Sequence, residues 1–328
     1  MLAATKQNEM FSTDYFSEII EKAIAEISYP EAPAGLYAPI RYTLEGGGKR
    51  LRPMLLMATA EAFGCDATEV VNQALGIEMF HNFTLLHDDV MDRADVRRGR
   101  PTVHRRWNDC TAILSGDAML TMATQLVAKC PDDKLRGVLD LFNNTAMEIY
   151  EGQQYDMGFE TRNDVSEDEY MSMIRLKTSV LLACACRMGA VMAGASDEAC
   201  DAIYRYGELL GLAFQLQDDY LDTYGDPALF GKEIGGDIIN EKKTWLWINA
   251  MAECGDAMRA VLDKKLTDYL KIQEITAIYD ELDLPARSRE LIQRYSDDAI
   301  AALDGVKMSG EARDFFVALA QKAADRKH

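Results

Sequence analysis

Residues 68–92 read TEVVNQALGIEMFHNFTLLHDDVMD, a long apolar run that finishes in three acids, Asp88, Asp89 and Asp92. The run predicts a helix carrying its carboxylates at one end. The design returns at 214–222, FQLQDDYLD, where an apolar helix face ends in Asp218, Asp219 and Asp222. Two such helices facing each other would place two acid clusters around one cavity. Residues four apart share a helix face, so Asp88 pairs with Asp92 and Asp218 with Asp222.

The rest of the chain reads as further helix. Proline is rare, with 8 in 328 residues, and none lies between Pro131 and Pro227. Helical spacing predicts helices over 11–28, 54–63, 68–92, 111–129, 134–159, 166–193, 197–223, 239–253, 256–270, 272–282, 286–304 and 310–325. A Pro-rich connection occupies 30–39, a short helix restarts over 40–45, and 93–110 reads as a loop. Connections are short and no repeat or low-complexity linker divides the chain. The expected fold is all-α, in one large domain over 1–328.

Composition narrows the function. Hydrophobic residues make up 48%, enough for a sizeable core. Acids number 54 against 35 Lys and Arg, a net charge of -19, which argues against a nucleic-acid partner. The basic stretches Lys49–Arg52 and Arg97–Arg106 stand out against that background. Seven cysteines without a Cys-x-x-Cys pattern read as buried free thiols in a reducing cytoplasm. The N-terminus lacks a signal-peptide pattern. The apolar window 180–195 is broken by Arg187 and too short to span a bilayer, so a soluble, cytoplasmic protein is expected.

Clustered carboxylates raise one another's pKa unless a cation intervenes. Mg²⁺ prefers oxygen ligands, keeps several waters and binds through one or two carboxylates plus substrate phosphates. Arginines beside the first cluster, Arg97 and Arg98, offer bidentate donors to phosphate. Lys49 and Arg52 do likewise beside Gly46, Gly47 and Gly48, whose backbone N–H groups are open to approach. The acids and bases together describe a diphosphate site.

These motifs resemble the trans-isoprenyl diphosphate synthases of the polyprenyl synthetase family. GGGKRLRP at 46–53, HDDVMDRADVRRGRPTVH at 87–104, GQQYD at 152–156, Lys177-Thr178, FQLQDDYLD at 214–222 and GKEIGGD at 231–237 carry the likeness, in order, over nearly 200 residues. The resemblance implies an all-α bundle of long, mostly antiparallel helices round a central cavity, in a homodimer. It also implies head-to-tail condensation of isopentenyl diphosphate with an allylic diphosphate, release of pyrophosphate and about three Mg²⁺ ions per site. It implies that Asp88, Asp92 and Asp218 bind Mg²⁺, with Asp89, Asp219 and Asp222 as near ligands or holders of metal-bound water. Arg97, Lys177, Lys232 and Lys242 would hold the allylic diphosphate. Lys49, Arg52, His81 and Arg98 would hold isopentenyl diphosphate, and Thr178 and Gln215 would sit beside the carbocation.

Departures are small. Ser179 follows Lys177-Thr178 where the family often has Gly. Lys242 lies in Glu-Lys-Lys-Thr, so either Lys242 or Lys243 reaches the site. Phe83 and Thr84, five and four residues before Asp88, are the candidate chain-length residues. A ring at Phe83, roughly 7–8 Å along the helix axis from Asp88, would act as a floor and favour a C15–C20 product. The alternatives are a longer-chain synthase or a non-catalytic subunit, and the latter typically loses the acids kept here.

Overall fold

The computed structural model describes residues 11–226 and 234–325, and these are almost wholly helical, as expected. Helix α1 spans Thr13–Ala25, α2 Ala34–Leu44, α3 Leu51–Ala62 and, after a 3₁₀ turn, α4 Val71–Met91. A ribbon follows, with β1 Val96–Arg97 antiparallel to β2 Arg100–Pro101. Then come α5 Val103–Arg106, α6 Asp109–Val127, α7 Asp132–Phe159 and α8 Glu167–Ile174. A π turn, Arg175–Ser179, joins α8 to α9, Val180–Ala193. The remaining helices are α10 Asp197–Tyr224, α11 Gly236–Ile239, α12 Trp245–Leu262, α13 Asp268–Glu281, α14 Leu284–Ala302 and α15 Gly310–Ala324.

The described residues gather into two compact units. The first holds those up to Asn143, with Cys184–Ile203 and Lys307–Phe315. The second holds Asn144–Ala183, those within Tyr204–Val306, and those from Phe316 on.

The first unit is arranged round α4. This helix is buried on every side, from Ala74, Ile77 and Phe80 to Glu78, Asn82 and Asp89, as befits a helix without a polar face. Gly76 lets α6 approach, because a Cβ there would lie 2.7 Å from Val127. Gly116 on α6 leaves room for His87, whose Nε2 lies 3.0 Å from the Ile113 carbonyl. Arg50 ties the helices together. Its guanidinium donates to Glu21 on α1, to Glu78 on α4 and to the Leu44 carbonyl ending α2, each at 2.7 Å. Arg50 itself is in the left-handed region, φ 48°, at the start of α3.

The second unit packs round Phe159, Tyr170, Leu216, Trp245, Tyr279 and Ile292. Close helix approach again depends on glycine. A Cβ on Gly152 of α7 would lie 2.4 Å from the Lys177 nitrogen, and one on Gly211 of α10 would lie 2.5 Å from the Ser179 Cα. The π turn is thus clasped from two sides.

Several expectations are corrected. The segment 93–110 is not one loop, since Arg98 and Gly99 both take positive φ and close a tight two-residue hairpin, the I′ type of geometry that matches strand twist. The helix expected over 166–193 is interrupted by the π turn. The break expected near residue 255 is only a kink at Cys254, and the chain leaves the helix at Leu262 instead. The Pro-rich connection is shorter than expected, because α2 already begins at Ala34 and runs through Pro39. Cys184, Cys186 and Cys200 are buried, but Cys110 is exposed. By length and composition Glu167–Ala193 is apolar enough to cross a membrane, yet 72% of its most apolar window is buried within the protein, as in a core helix.

Removing one member of a buried ion pair leaves an uncompensated charge. Arg50→Met is therefore expected to lower unfolding free energy by about 3–5 kcal/mol, read by urea titration. A loss below about 1 kcal/mol would show that Glu78 is satisfied without it.

Candidate active site

In the first unit the acids occupy an unfavourable place. Asp88 and Asp89 lie in the last turn of α4, and Asp92 caps it, its N–H bonded to the Asp88 carbonyl at 2.8 Å. Carboxylates there face the negative end of the helix dipole. Asp89 is buried, which pushes its pKa up, against the opposing pull of Arg97, whose Nε donates to Oδ1 at 2.8 Å. The hairpin explains this reach: it turns the chain at Arg98-Gly99, so that β1 delivers Arg97 back to α4.

Arg98 turns instead to the glycine triplet. It donates to the Gly47 carbonyl and, at 3.5 Å, to Asn82 Oδ1. A Cβ on Gly48, where φ is +143°, would lie 3.0 Å from the Arg98 guanidinium. Gly48 is thus required by both backbone angle and space. Arg52 donates to His81 Nε2 at 3.3 Å, which leaves the imidazole proton on Nδ1. Burial first, and then Arg52, Arg98 and Arg97, hold the His81 pKa well below its usual value. A neutral histidine among guanidinium groups is a donor set for an anion. A pocket lined by Gly46, Asn82, Asp89, Arg97, Arg98 and Arg100, with Leu85 and Leu86, opens here. At its rim the Arg100 guanidinium stacks 3.8 Å from the centre of the Tyr42 ring.

Phe83 lies on the same helix, α4. Its buried ring packs edge-on against Phe80 at 5.4 Å and His87 at 4.8 Å. The Thr84 hydroxyl donates to the His81 carbonyl at 2.8 Å. Lys49 is exposed beside the triplet.

In the second unit the π turn presents Lys177 and Thr178. Single π turns inside helices often mark functional positions. Lys177 Nζ pairs with Asp156 at 2.6 Å. The Thr178 hydroxyl donates to Gln215 Oε1 at 2.9 Å, and Gln215 Nε2 donates to Asp219 Oδ1 at 2.9 Å. The other Asp219 oxygen accepts from Tyr170 at 2.5 Å. Burial pushes the Asp219 pKa up to about 7, with Lys242 opposing and Asp237 adding to the rise. Asp222 accepts from the Asp237 backbone N–H at 2.9 Å. Asp218 lies half-buried, four residues before Asp222 on the same helix face.

The two candidate lysines differ in their surroundings. Lys242 Nζ lies 3.8 Å from Asp237, and its pKa is raised by Asp237, Asp219, Asp156 and Asp222. Lys243 donates instead to the Glu241 carbonyl and lies over the Trp247 ring. Lys232 lies outside the described residues.

The first unit thus brings Arg52, His81, Asn82, Asp89, Arg97 and Arg98 into one neighbourhood. The second assembles Lys177, Thr178, Gln215, Asp219 and Lys242. Among the described residues no three His, Cys, Asp or Glu side chains converge on a ready-made metal cage. Sequence reasoning assigned no role to Asp156, Asp237 or Tyr170. Asp156 and Asp237 stand inside quoted motifs, GQQYD and GKEIGGD, so their signal was present. Tyr170 has none, because its partner lies 49 residues away.

An acid whose folded pKa is raised favours the native state below its unfolded pKa and disfavours it as pH climbs through the folded value. In chelator, the wild-type melting temperature is therefore expected to fall between about pH 4 and pH 7 relative to Asp219→Asn. Parallel melting curves for the two proteins would contradict the assignment.

Comparison with known proteins agrees with this chemistry. The Polyprenyl synthetase family profile matches residues 33–282. The chain is 44% identical to the geranylgeranyl diphosphate synthase of Methanosarcina mazei over 236 residues, 71% of this chain and 73% of that one. It is 35% identical to the short chain isoprenyl diphosphate synthase of Methanothermobacter thermautotrophicus over 326 residues, 95% and 97% of the two chains. The crystal structure of geranylgeranyl pyrophosphate synthetase from Pyrococcus horikoshii superposes with a TM-score of 0.91 at 31% identity, covering 98% of this chain and 99% of that one. The chain therefore belongs to the polyprenyl synthetase family and is a prenyltransferase.

Proposed function

We propose that the protein condenses isopentenyl diphosphate with dimethylallyl, geranyl or farnesyl diphosphate, yielding a C15–C20 prenyl diphosphate and pyrophosphate. The observation that carries this reading is the donor set of the first unit. A neutral His81, Arg52, Arg97, Arg98 and a glycine turn adjoin the Asp88–Asp92 carboxylates, and such a set suits phosphate oxygens and cations together.

The carboxylates fit Mg²⁺. They are oxygen donors only, and the run Asp88, Asp89 and Asp92 gathers negative charge at the C-terminal end of α4. Asp88, Asp92 and Asp218 would hold the metal, with Asp89, Asp219 and Asp222 beside them. When bound, Mg²⁺ supplies charge neutralisation to the departing diphosphate.

Arg97, Lys177, Lys242 and Lys232 hold the allylic diphosphate as its C–O bond breaks and the electron pair passes to the leaving oxygen. Lys49, Arg52, His81 and Arg98 hold isopentenyl diphosphate, so its double bond meets the allylic carbon in a fixed orientation. A proton then leaves the new chain, and the departing pyrophosphate accepts it. Thr178 and Gln215 offer oxygen dipoles to the cationic carbon, and apolar walls such as Leu85 and Leu86 keep water from it.

Phe83 sets the product limit. Its ring is fixed by Phe80 and His87, so it forms a rigid floor. The short-chain reading is supported by the names of the relatives. A homodimer is part of the same reading, favoured by Ile113 and Leu114, adjacent on α6 and 47% and 61% exposed. The cysteines, all free, favour a reducing cytoplasm.

Purified protein with Mg²⁺, isopentenyl diphosphate and each allylic primer is expected to release pyrophosphate and extend the primer. If no primer is elongated, the reading fails. Reversed-phase chromatography of the Phe83→Ala products is expected to show chains longer than the wild-type product. Unchanged length would place the floor on another residue.

A further inference from the structure

The hydrogen bonds of the second unit form one directed line. Tyr170 on α8 is 1% exposed, and its hydroxyl donates to Asp219 Oδ2 at 2.5 Å. Asp219 Oδ1 accepts from Gln215 Nε2, one turn back on α10, at 2.9 Å. Gln215 Oε1 accepts from the Thr178 hydroxyl in the π turn, at 2.9 Å. Each link determines the next. A side-chain amide has one donor end and one acceptor end. With Asp219 drawing the –NH₂ end, the oxygen must point the other way. There it can only accept, so the Thr178 hydrogen is directed at it. The Thr178 oxygen lone pairs are then left for an electron-poor group.

Packing alone does not account for the phenol. Phenylalanine would fill the same space without burying a hydroxyl, and a buried hydroxyl needs a partner. Here the partner is a carboxylate held from two sides by donors on separate elements. The arrangement is rigid, because the π turn is pressed against α7 at Gly152 and against α10 at Gly211.

We propose that Tyr170 is a positioning residue for prenyl transfer: through Asp219 and Gln215 it fixes the Thr178 oxygen as the dipole that meets the cationic allylic carbon. The inference rests on the proposed function, and it adds a residue outside every motif that carries the family likeness. Without the Tyr170 donor, Asp219 gains rotational freedom, the Gln215 amide can invert, and Thr178 loses its fixed direction. Binding of the two diphosphates is assigned mainly to the basic residues and to Asp88, Asp92 and Asp218, so the loss falls chiefly on the chemical step. Small misplacements of reacting groups cost on the order of 100-fold.

Tyr170→Phe is expected to lower kcat by about 10–100-fold, with KM for both diphosphates within about twofold. Thr178→Val supplies the second arm. If Tyr170 acts through Thr178, adding Tyr170→Phe to Thr178→Val costs less than about twofold more. Multiplying losses would overturn the proposal, as would an unchanged kcat or a rise in KM alone. Placing 4-aminophenylalanine at position 170, which restores a donor, is expected to recover most of the lost rate. Should Tyr170→Phe fail to fold, 4-fluorophenylalanine, which fills nearly the same space as tyrosine but has no hydrogen to donate, carries the same comparison. A crystal structure of the substituted protein reads the relay without turnover. Displacement of Gln215 or Thr178 supports the proposal, and an unchanged Thr178–Gln215 bond contradicts it. A wild-type protein that elongates no primer would refute the proposed function, while this crystallographic comparison would still decide the relay.

Discussion

Carboxylates gathered at the ends of apolar helices are the constraint on which this protein is built. Asp88, Asp89 and Asp92 sit where the α4 dipole is already negative, and Asp89 is buried as well. Charge of this kind persists only if cations are brought to it. The hairpin at Arg98-Gly99 exists to return Arg97 to Asp89. The glycine triplet leaves space for the neighbouring Arg98. In the second unit Lys242 performs the same service for Asp219, Asp237, Asp156 and Asp222. The protein supplies part of the positive charge, and substrate-bound cations are proposed to supply the rest.

Support for the charged groups comes from apolar and backbone detail. Arg50 is buried and answers to Glu21, Glu78 and the end of α2, so it belongs to the framework, although it lies two residues from Arg52 in the same basic run. Glycines 76, 116, 152 and 211 each stand where a methyl group would strike a neighbour. Gly152 is the clearest case. It belongs to GQQYD, and its lack of a side chain allows α7 to approach the π turn, while Asp156 in the same motif holds Lys177.

Much of this was legible in the sequence, and the limits have physical causes. Long apolar runs with few prolines foretold the helices, and the repeated Asp-Asp-x-x-Asp foretold the acid clusters. Spacing could not foretell the π turn, because the run after it, 180–193, is buried or half-buried throughout and has no one-sided apolar stripe to show the shift of phase. Arg97 and Arg98 were assigned to different substrates, but spacing did not reveal the hairpin that sends them to different partners, Asp89 and Gly47. Tyr170 was invisible because a single buried tyrosine in an amphipathic helix looks like core. A helix end was expected after residue 253, but the helix continues through a kink at Cys254 to Leu262; Gly255, a weak helix former, follows the kink.

The central proposal is that each acid run binds diphosphate through divalent cations. Calorimetric titration with a non-cleavable allylic thiodiphosphate tests it most directly, in wild type, Asp88→Asn and Asp218→Asn. The account predicts binding that requires Mg²⁺ and weakens at least about tenfold in each variant, about 1.4 kcal/mol. Tight binding in chelator, or binding untouched by either substitution, would contradict it.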